Sequence, residues 1–390
     1  MNILILCNKF YPDVVGGAEI STFNFAKALS LSKNNISVIT LANFYKEEYI
    51  DNIKVYRIKR KYNENKDSKN IFDIISYNIK DLLLKKYNPE IIKIIKKIKP
   101  DIIHTQNIDG MGNFWKEINR LNIPIVHTIR DDYFYPNDLY ISTSNNIRTW
   151  SRSILNKIIT KLRINNFDAS SITAISSHYA KKYTHILKRE VIEIPNFFTE
   201  LEIQKFSSIT RMKRYNNKHH IFGYIGRIVP EKGIEFLLKT FVTLPEQSKM
   251  LLYIAGDFDS KYGKMLYDKY SCPNIIFLGN IDAIHFYSRI DTVIIPSLWD
   301  EAFGRVAIEA ALSGVDIITS DSGSLVENLL KINANFSFYD KNNNELLKNH
   351  ILDRIMASAK KPINNIDILF FTEKFVIAKY MELYLNEHEK

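Results

Sequence analysis

Short, continuously apolar runs alternate with amphipathic stretches along the whole chain, and this pattern leaves few folds open. Strands are predicted at 2–7, 36–41, 53–58, 101–105, 124–128, 170–174 and 191–194, and again at 220–225, 250–255, 274–277, 292–295 and 316–319. Helical patterns fill most intervals, among them 18–32, 88–98, 147–166, 232–243, 303–313 and 323–330. A strand that is apolar on both sides must be covered on both sides, as in a parallel sheet flanked by helices. The series runs twice, which predicts an α/β chain of two Rossmann-like domains. A length of 390 residues is more than one core usually organises, and agrees with this.

The boundary falls after Ile194-Pro195-Asn196-Phe197-Phe198. From Thr199 to His219 the chain is polar, basic and weakly periodic, which reads as a linker. The stretch Tyr62 to Asn70 reads as an exposed loop. A last helical pattern, Thr372–Asn386, is expected to cross back onto the first domain. The expected domains are therefore 1–198 with 372–390, and 199–371.

The net charge of +10 is unevenly placed. Residues 1–198 hold 30 Lys and Arg against 19 Asp and Glu, whereas the remainder holds 23 against 24. A basic first half and a neutral second half imply different partners, such as an anionic membrane surface or a polyanionic acceptor for the first. Nothing resembles a nucleic-acid recognition module, and no nucleic-acid partner is expected. Cys7 and Cys272 read as reduced thiols. No secretory leader and no apolar run near the ~20 residues of a membrane helix is visible. The expected location is cytoplasmic, with peripheral attachment to the inner face of the plasma membrane as an option. Two basic amphipathic stretches bear on that option. In Ile91–Lys99 the isoleucines are expected to pack on a sheet with the lysines in solvent. In 147–166, Trp150, Ile154, Ile158 and Leu162 recur every four residues, with Arg152, Lys157, Lys161 and Arg163 on other faces. That stretch suits a sheet or a membrane surface equally.

Three strand-to-helix turns can carry chemistry. Phe10 to Glu19 includes Gly16 and Gly17, which let a ligand approach the backbone, just before a helix N-terminus that favours an anion. It lacks the Gly-x-Gly-x-x-Gly fingerprint, which removes the main support for a dinucleotide oxidoreductase. Gly226-Arg227-Ile228-Val229-Pro230-Glu231-Lys232-Gly233 offers a guanidinium fork and a mobile ammonium at a sheet edge. The third runs from Val293 to Ala310, with Glu301 before a helix, Phe303, Gly304 and Arg305 at its mouth, and Glu309 further in. Unpaired N–H groups at that mouth suit a phosphate. A carboxylate at Glu309, among Val306, Ala307, Ile308, Ala310 and Leu312, needs a partner.

In combination these segments resemble the family-4 retaining glycosyltransferases of the GT-B fold. Their Glu-x7-Glu motif appears as Glu301 to Glu309. Their Gly-Arg…Glu-Lys-Gly segment appears as Gly226-Arg227 with Glu231-Lys232-Gly233. The Gly-Gly-Ala-Glu loop, the strand Pro100 to His104, the Ile-Pro-Asn-Phe segment and Ser320-Asp321-Ser322-Gly323-Ser324 also match, in order, over the whole chain. The resemblance implies two Rossmann-like domains with sheets facing across a cleft. Glu309 would bind the ribose of a nucleoside-diphosphate sugar. Arg227, Lys232 and the N–H groups of Phe303 and Gly304 would hold its diphosphate, with Arg305 on the donor side. Glu301 would contact the sugar, and Ile281 would lie beside the base. Gly16 and Gly17 would shape the loop between donor and acceptor.

Where the family often has His-Asp-Tyr after the fifth strand, this chain has Arg130-Asp131-Asp132-Tyr133. Arg130 and Asp131 are assigned to the acceptor side, and His127 to the core. An arginine cannot serve as a base at neutral pH, but it can stabilise charge. Asp257-Phe258-Asp259 resembles the metal motif of a different glycosyltransferase fold, and no metal or other cofactor is expected. The implied activity is metal-independent retaining transfer from a UDP or GDP sugar to a lipid-linked or polysaccharide acceptor, in assembly of a bacterial lipopolysaccharide, O-antigen or capsule. A non-catalytic GT-B scaffold and a nucleotide-sugar epimerase or hydrolase are the alternatives.

Overall fold

In a computed structural model of the chain, uniform strand direction organises both halves. The structure describes residues 1–13, 16–60, 71–83, 87–135, 147–209, 219–245, 249–356 and 366–390, with side chains from Ser76 to Leu82 and from Asn156 in two of the helices. The stretch 62–70, the basic run Arg211 to Lys218, and the side chains of Trp150, Arg152 and Ile154 lie outside the described residues. The chain divides into two units. One comprises Met1–Ile175, Tyr179–Phe197 and Glu373–Lys390, and the other Ser176–His178 and Phe198–Thr372.

The first unit holds β1 (Asn2–Leu6), β2 (Asn35–Ala42), β3 (Lys46–Ile50), β4 (Ile53–Lys59), β5 (Ile102–Gln106), β6 (Ile125–Ile129), β7 (Ser171–Ala174) and β8 (Ile192–Glu193). They form one sheet in the order β3-β4-β2-β1-β5-β6-β7-β8. Every pairing is parallel except that of β3 with β4. The second unit holds β9 (His220–Ile225), β10 (Met250–Ala255), β11 (Ile275–Gly279), β12 (Thr292–Ile295), β13 (Asp316–Ser320) and β14 (Ser337–Tyr339). Their order is β11-β10-β9-β12-β13-β14, parallel throughout. Both orders reverse direction once, beside β1 and beside β9. Such a switch point opens a crevice at the carboxyl ends of the strands.

All twelve predicted strands are present. The sequence pattern missed β3 and β14. β3 is an edge strand that exposes Lys46 and Glu47 and pairs only with β4, so it carries no apolar run. Charge on such an edge discourages pairing with another chain. The expected linker is in part a helix, Glu200–Ile209. Its start is a reciprocal cap: Thr199 N donates to Glu202 Oε2 at 2.8 Å and Glu202 N to Thr199 Oγ1 at 3.3 Å. Phe206 and Ile209 are buried beneath it.

In the helix Asn88–Ile98 the residues Ile91, Ile94 and Ile95 are buried and Lys93, Lys96 and Lys97 exposed, so the helix packs on the sheet as expected. The helix Ile147–Asn166 is divided. Ile159 is buried, whereas Ile158 and Leu162 are 50% and 44% exposed beside exposed Lys157 and Lys161. Arg163 is not on a solvent face. It is buried with Nη2 3.5 Å from Asp81 Oδ2 and donates to Asn78 Oδ1 at 2.8 Å. Asp81 itself is fully buried and accepts the N–H groups of Gly110 and Gly112, so the loop after β5 needs that cation beneath it.

The terminal helix Glu373–His388 seals the first unit. Val376, Ile377, Tyr380 and Tyr384 join a core cluster with Ile5, Phe25, Leu29 and Val126. Its polar groups meet the sheet as well: Tyr384 OH lies 2.5 Å from His104 Nδ1, and Tyr380 OH 3.0 Å from Thr128 Oγ1. Removing a buried ring leaves a cavity and, here, also removes one hydrogen bond to Thr128. Tyr380→Ala should therefore lower stability by roughly 3–5 kcal/mol in urea unfolding. A loss below about 1 kcal/mol would show that this helix is dispensable to the first unit.

Candidate functional site

In the second unit, the residues singled out from sequence converge at the carboxyl ends of β9 and β12. β9 runs into Gly226-Arg227 and a single turn, Pro230–Lys232, closed by Gly233 at φ 68°. A Cβ there would lie 1.8 Å from Pro296 O, so only glycine lets this turn press against the segment after β12. Backbone bonds fasten the two: Leu298 N and Trp299 N both donate to Glu231 O, at 3.0 and 3.2 Å.

Glu301 lies in that segment. Its Oε1 accepts from Lys232 Nζ at 2.6 Å and from Ser297 Oγ at 2.7 Å. Ser324 N and Ser324 Oγ both donate to Glu301 O at 2.9 Å, which ties the residue to the turn after β13. Lys232, expected on a phosphate, is thus paired with the expected sugar-side carboxylate. Arg227 differs: it is exposed, and its guanidinium has no acceptor among the described residues.

The helix Arg305–Leu312 starts at Gly304, whose φ of 74° turns the chain into it. The N–H groups of Phe303, Gly304, Arg305 and Val306 have no backbone acceptor among the described residues. Together with the helix dipole they make a mouth whose electrostatics favour an anion. Below it lies Glu309, buried, as its apolar neighbours foretold. Its partners are Arg305, whose Nε donates to Oε1 at 2.7 Å, and Tyr287, whose hydroxyl donates to Oε2 at 3.4 Å. Arg305 also donates through Nη2 to Glu202 Oε1 at 2.6 Å and stacks on Phe198 at 4.3 Å. Burial raises the Glu309 carboxyl above its ordinary value, and the Arg305 charge offsets part of that rise. Ile281 is half-buried after β11, beside Asp282, which caps the next helix through Ile284 N at 2.9 Å.

The first unit supplies the remaining candidates. Gly16 caps the helix Gly17–Leu31 and Gly17 opens it, and both are exposed. A Cβ on Gly17 would meet nothing within 4 Å, so packing within the chain does not require glycine there. Arg130 follows β6, half-buried. Its Nε donates to Gln106 Oε1 at 2.6 Å and its Nη1 to Ser21 Oγ at 3.0 Å and Asn196 Oδ1 at 2.5 Å. Burial pushes its pKa down. Asp131 is exposed and accepts Tyr133 N at 3.0 Å. His127 is a core residue among Trp115, Phe134 and Phe167, with Nδ1 2.8 Å from Thr105 Oγ1. Asp257 accepts Asp259 N at 2.9 Å in a local turn after β10.

Sequence reasoning missed Glu202, Tyr287, Ser297, Gln106, Ser21 and Asn196. Glu202 had a signal, the Thr-x-x-Glu cap, and Asn196 lay in the matched Ile-Pro-Asn-Phe segment. Ser297 lay within the segment Val293 to Ala310, and Tyr287, Gln106 and Ser21 are brought in only by the fold.

A doubly wound sheet in each unit, with cation, carboxylate and helix mouth at one switch point, defines the class of GT-B glycosyltransferases. Residues 15–198 match glycosyltransferase family 4 and residues 207–364 match glycosyl transferases group 1. This chain belongs to the family-4 glycosyltransferases. An uncharacterized 42.6 kDa protein in the cps region of Klebsiella pneumoniae is 26% identical over 98% of this chain and 100% of its own length. A lipopolysaccharide 1,2-N-acetylglucosaminetransferase of Salmonella typhimurium is 36% identical over 27% of this chain and 32% of its own. The fold matches that of HepE from Anabaena, solved with UDP and glucose, with a TM-score of 0.70 and 17% identity over 99% of this chain and 100% of that one.

The Glu309 environment gives a pH dependence with a definite sign. A folded-state pKa above the ordinary 4.5 means the folded chain holds this proton more tightly than the unfolded chain. The stability linked to it is complete below the ordinary value and is lost as pH rises through the raised one. Glu309→Gln avoids the loss, and Arg305 keeps Glu202. The variant should melt above wild type at pH 8, and the gap should close on acidification toward the ordinary glutamate range. A gap independent of pH in thermal melts would show that burial does not govern this carboxylate.

Proposed function

We propose that the chain transfers a glycosyl group from a UDP or GDP sugar, with retention and without a metal, to a lipid-linked or polysaccharide acceptor of a bacterial surface glycan. The observation that carries this reading is the single segment Ser297–Glu309. It combines a carboxylate held by Lys232 and Ser297, a helix mouth with free N–H groups, and a buried carboxylate held by Arg305 and Tyr287. Spaced in this order, they suit a sugar, a diphosphate and a ribose. The helix mouth and Arg227 neutralise the diphosphate and stabilise it as a leaving group, with Lys232 adding charge beside Glu301. Glu309 accepts from ribose hydroxyls. Glu301, hydrogen-bonded twice through Oε1, offers Oε2 to orient sugar hydroxyls. A donor phosphate oxygen is then the proton acceptor for the incoming hydroxyl.

The relatives support the glycan setting: a cps-region protein and a lipopolysaccharide N-acetylglucosaminetransferase. HepE, solved with UDP and glucose, supports the donor class. Location at the cytoplasmic membrane surface is part of the proposal. It is supported by the basic first half and by the exposed row Lys157, Ile158, Lys161 and Leu162. No helix among the described residues is long and apolar enough to cross a membrane.

Glu309→Ala and Arg227→Ala should each cut turnover by roughly 10²-fold or more, on the order of 3 kcal/mol for a charged contact. Near-wild-type transfer in both would sink the donor assignment. Rapid sugar release from donor without any acceptor would favour a hydrolase instead. In a separate flotation assay, Lys157→Glu/Lys161→Glu should weaken binding to vesicles rich in phosphatidylglycerol, and added salt should do the same. Binding indifferent to both would remove the membrane-surface element.

A further inference from the structure

Arg130 differs from the other arginines drawn into the interior. Arg57, Arg163, Arg305 and Arg354 each lie against a carboxylate. The three acceptors of Arg130 are all neutral: an amide oxygen of Gln106, the hydroxyl of Ser21 and an amide oxygen of Asn196. No carboxylate lies within ion-pair distance of Arg130 among the described residues, although the charge of Asp131 acts on it at longer range. Asp131 accepts Tyr133 N, and Glu19 accepts Gly16 N at 2.9 Å. These contacts use Nε and Nη1. The Nη2 amino group has no acceptor among the described residues, yet it is not sealed from solvent. A half-buried guanidinium loses hydration, and three neutral dipoles fix its orientation without cancelling its charge. One edge of a planar fork is left poised for a ligand.

The position of this charge is specific. Gln106 ends β5, Arg130 follows β6, and Ser21 lies on the second turn of the 15-residue helix Gly17–Leu31. The guanidinium is therefore tied to a helix start, whose dipole also favours negative charge. In the second unit the free cation Arg227 and a second helix mouth already meet the charge of a diphosphate. A further preformed cation implies a further anion.

We propose that Arg130, oriented by Gln106, Ser21 and Asn196, is a receptor for an oxyanion on the glycosyl acceptor, a sugar carboxylate or a phosphate. The proposal rests on the transferase reading above and narrows its acceptor to an acidic one. Because the cradle is neutral, the receptor takes either oxyanion and favours it over a neutral sugar at the same place.

The test titrates methyl α-glucuronide, inorganic phosphate and methyl α-glucoside into the full chain by calorimetry, with UDP in parallel. Wild type, Arg130→Gln, Arg130→Lys and Arg227→Gln are compared. The expected result is that glucuronide and phosphate bind Arg130→Gln at least tenfold more weakly than wild type, while UDP binds within twofold and the glucoside is unchanged. Arg130→Lys keeps the charge without the fork and should fall between. Glucuronide binding undiminished in Arg130→Gln overturns the proposal. So does a loss confined to UDP, which would give the guanidinium to the donor diphosphate, or a phosphate loss seen only in Arg227→Gln. If Arg130→Gln fails to melt cooperatively, Arg130→Lys decides: glucuronide binding equal to wild type overturns the proposal, and weakened binding supports it. Intact glucuronide binding with no UDP binding in wild type would retain the receptor and reject the donor reading.

Discussion

Every functional feature of this chain follows from one constraint, the common direction of the strands within each sheet. Apart from edge strand β3, all strands run parallel to their neighbours. A parallel sheet gathers the carboxyl ends of its strands along one edge, and the helices that follow begin there. Their unpaired N–H groups and positive dipole ends therefore face the same edge. The switch point then opens a crevice at that edge rather than elsewhere. Arg227 after β9, the segment after β12, Gln106 at the end of β5 and Arg130 after β6 are all consequences of this direction.

The two carboxylates of the Glu301–Glu309 pair obtain their stability differently, and that difference matters for their use. Glu301 is held by an ammonium and a hydroxyl, with two donors on its backbone carbonyl, and it stays near the rim. Glu309 is buried below the helix mouth, and the cost of burying its charge is only partly offset by Arg305 and Tyr287. A carboxylate kept at a cost to the fold is one that a ligand can reward, since new hydroxyl donors satisfy the charge that burial penalises. Arg305 makes this tolerable: its second contact to Glu202 and its stacking on Phe198 keep it in place whatever Glu309 does.

The fold was largely legible because its signal is additive. Most of the buried strands are built on short apolar runs, and twelve such segments in order leave little freedom. β3 was illegible because a charged edge strand has no run, and the helix Glu200–Ile209 because its apolar residues are few and its cap looked like linker polarity. At the site, residues adjacent in sequence to glycine turns were found. Those delivered by folding were not. Ser21 meets Arg130 across 109 positions and Arg305 meets Glu202 across 103, and no local pattern encodes either contact. The chain pattern did foresee that Glu309 needs a partner, since a carboxylate inside an apolar helical face cannot remain unpaired. It set Arg163 only off the row of Trp150, Ile154, Ile158 and Leu162, and did not foresee that Asp81 would hold it in the interior.

The arginines show why periodicity fails for charge. A hydrophobic face is decided by the helix's own sequence, but a buried cation is decided by a carboxylate that arrives from elsewhere. Arg163 and Arg57 answer Asp81 and Glu48 and so complete the fold. Arg130 has no carboxylate within ion-pair distance among the described residues, and three neutral groups hold it fixed. Replacing one of those amides with a carboxylate would have settled the charge at no cost in space. Its absence leaves the field of the guanidinium directed outward, where a ligand can satisfy it in place of water. A residue that the fold could easily neutralise, and does not, is better explained by what it binds than by what it stabilises.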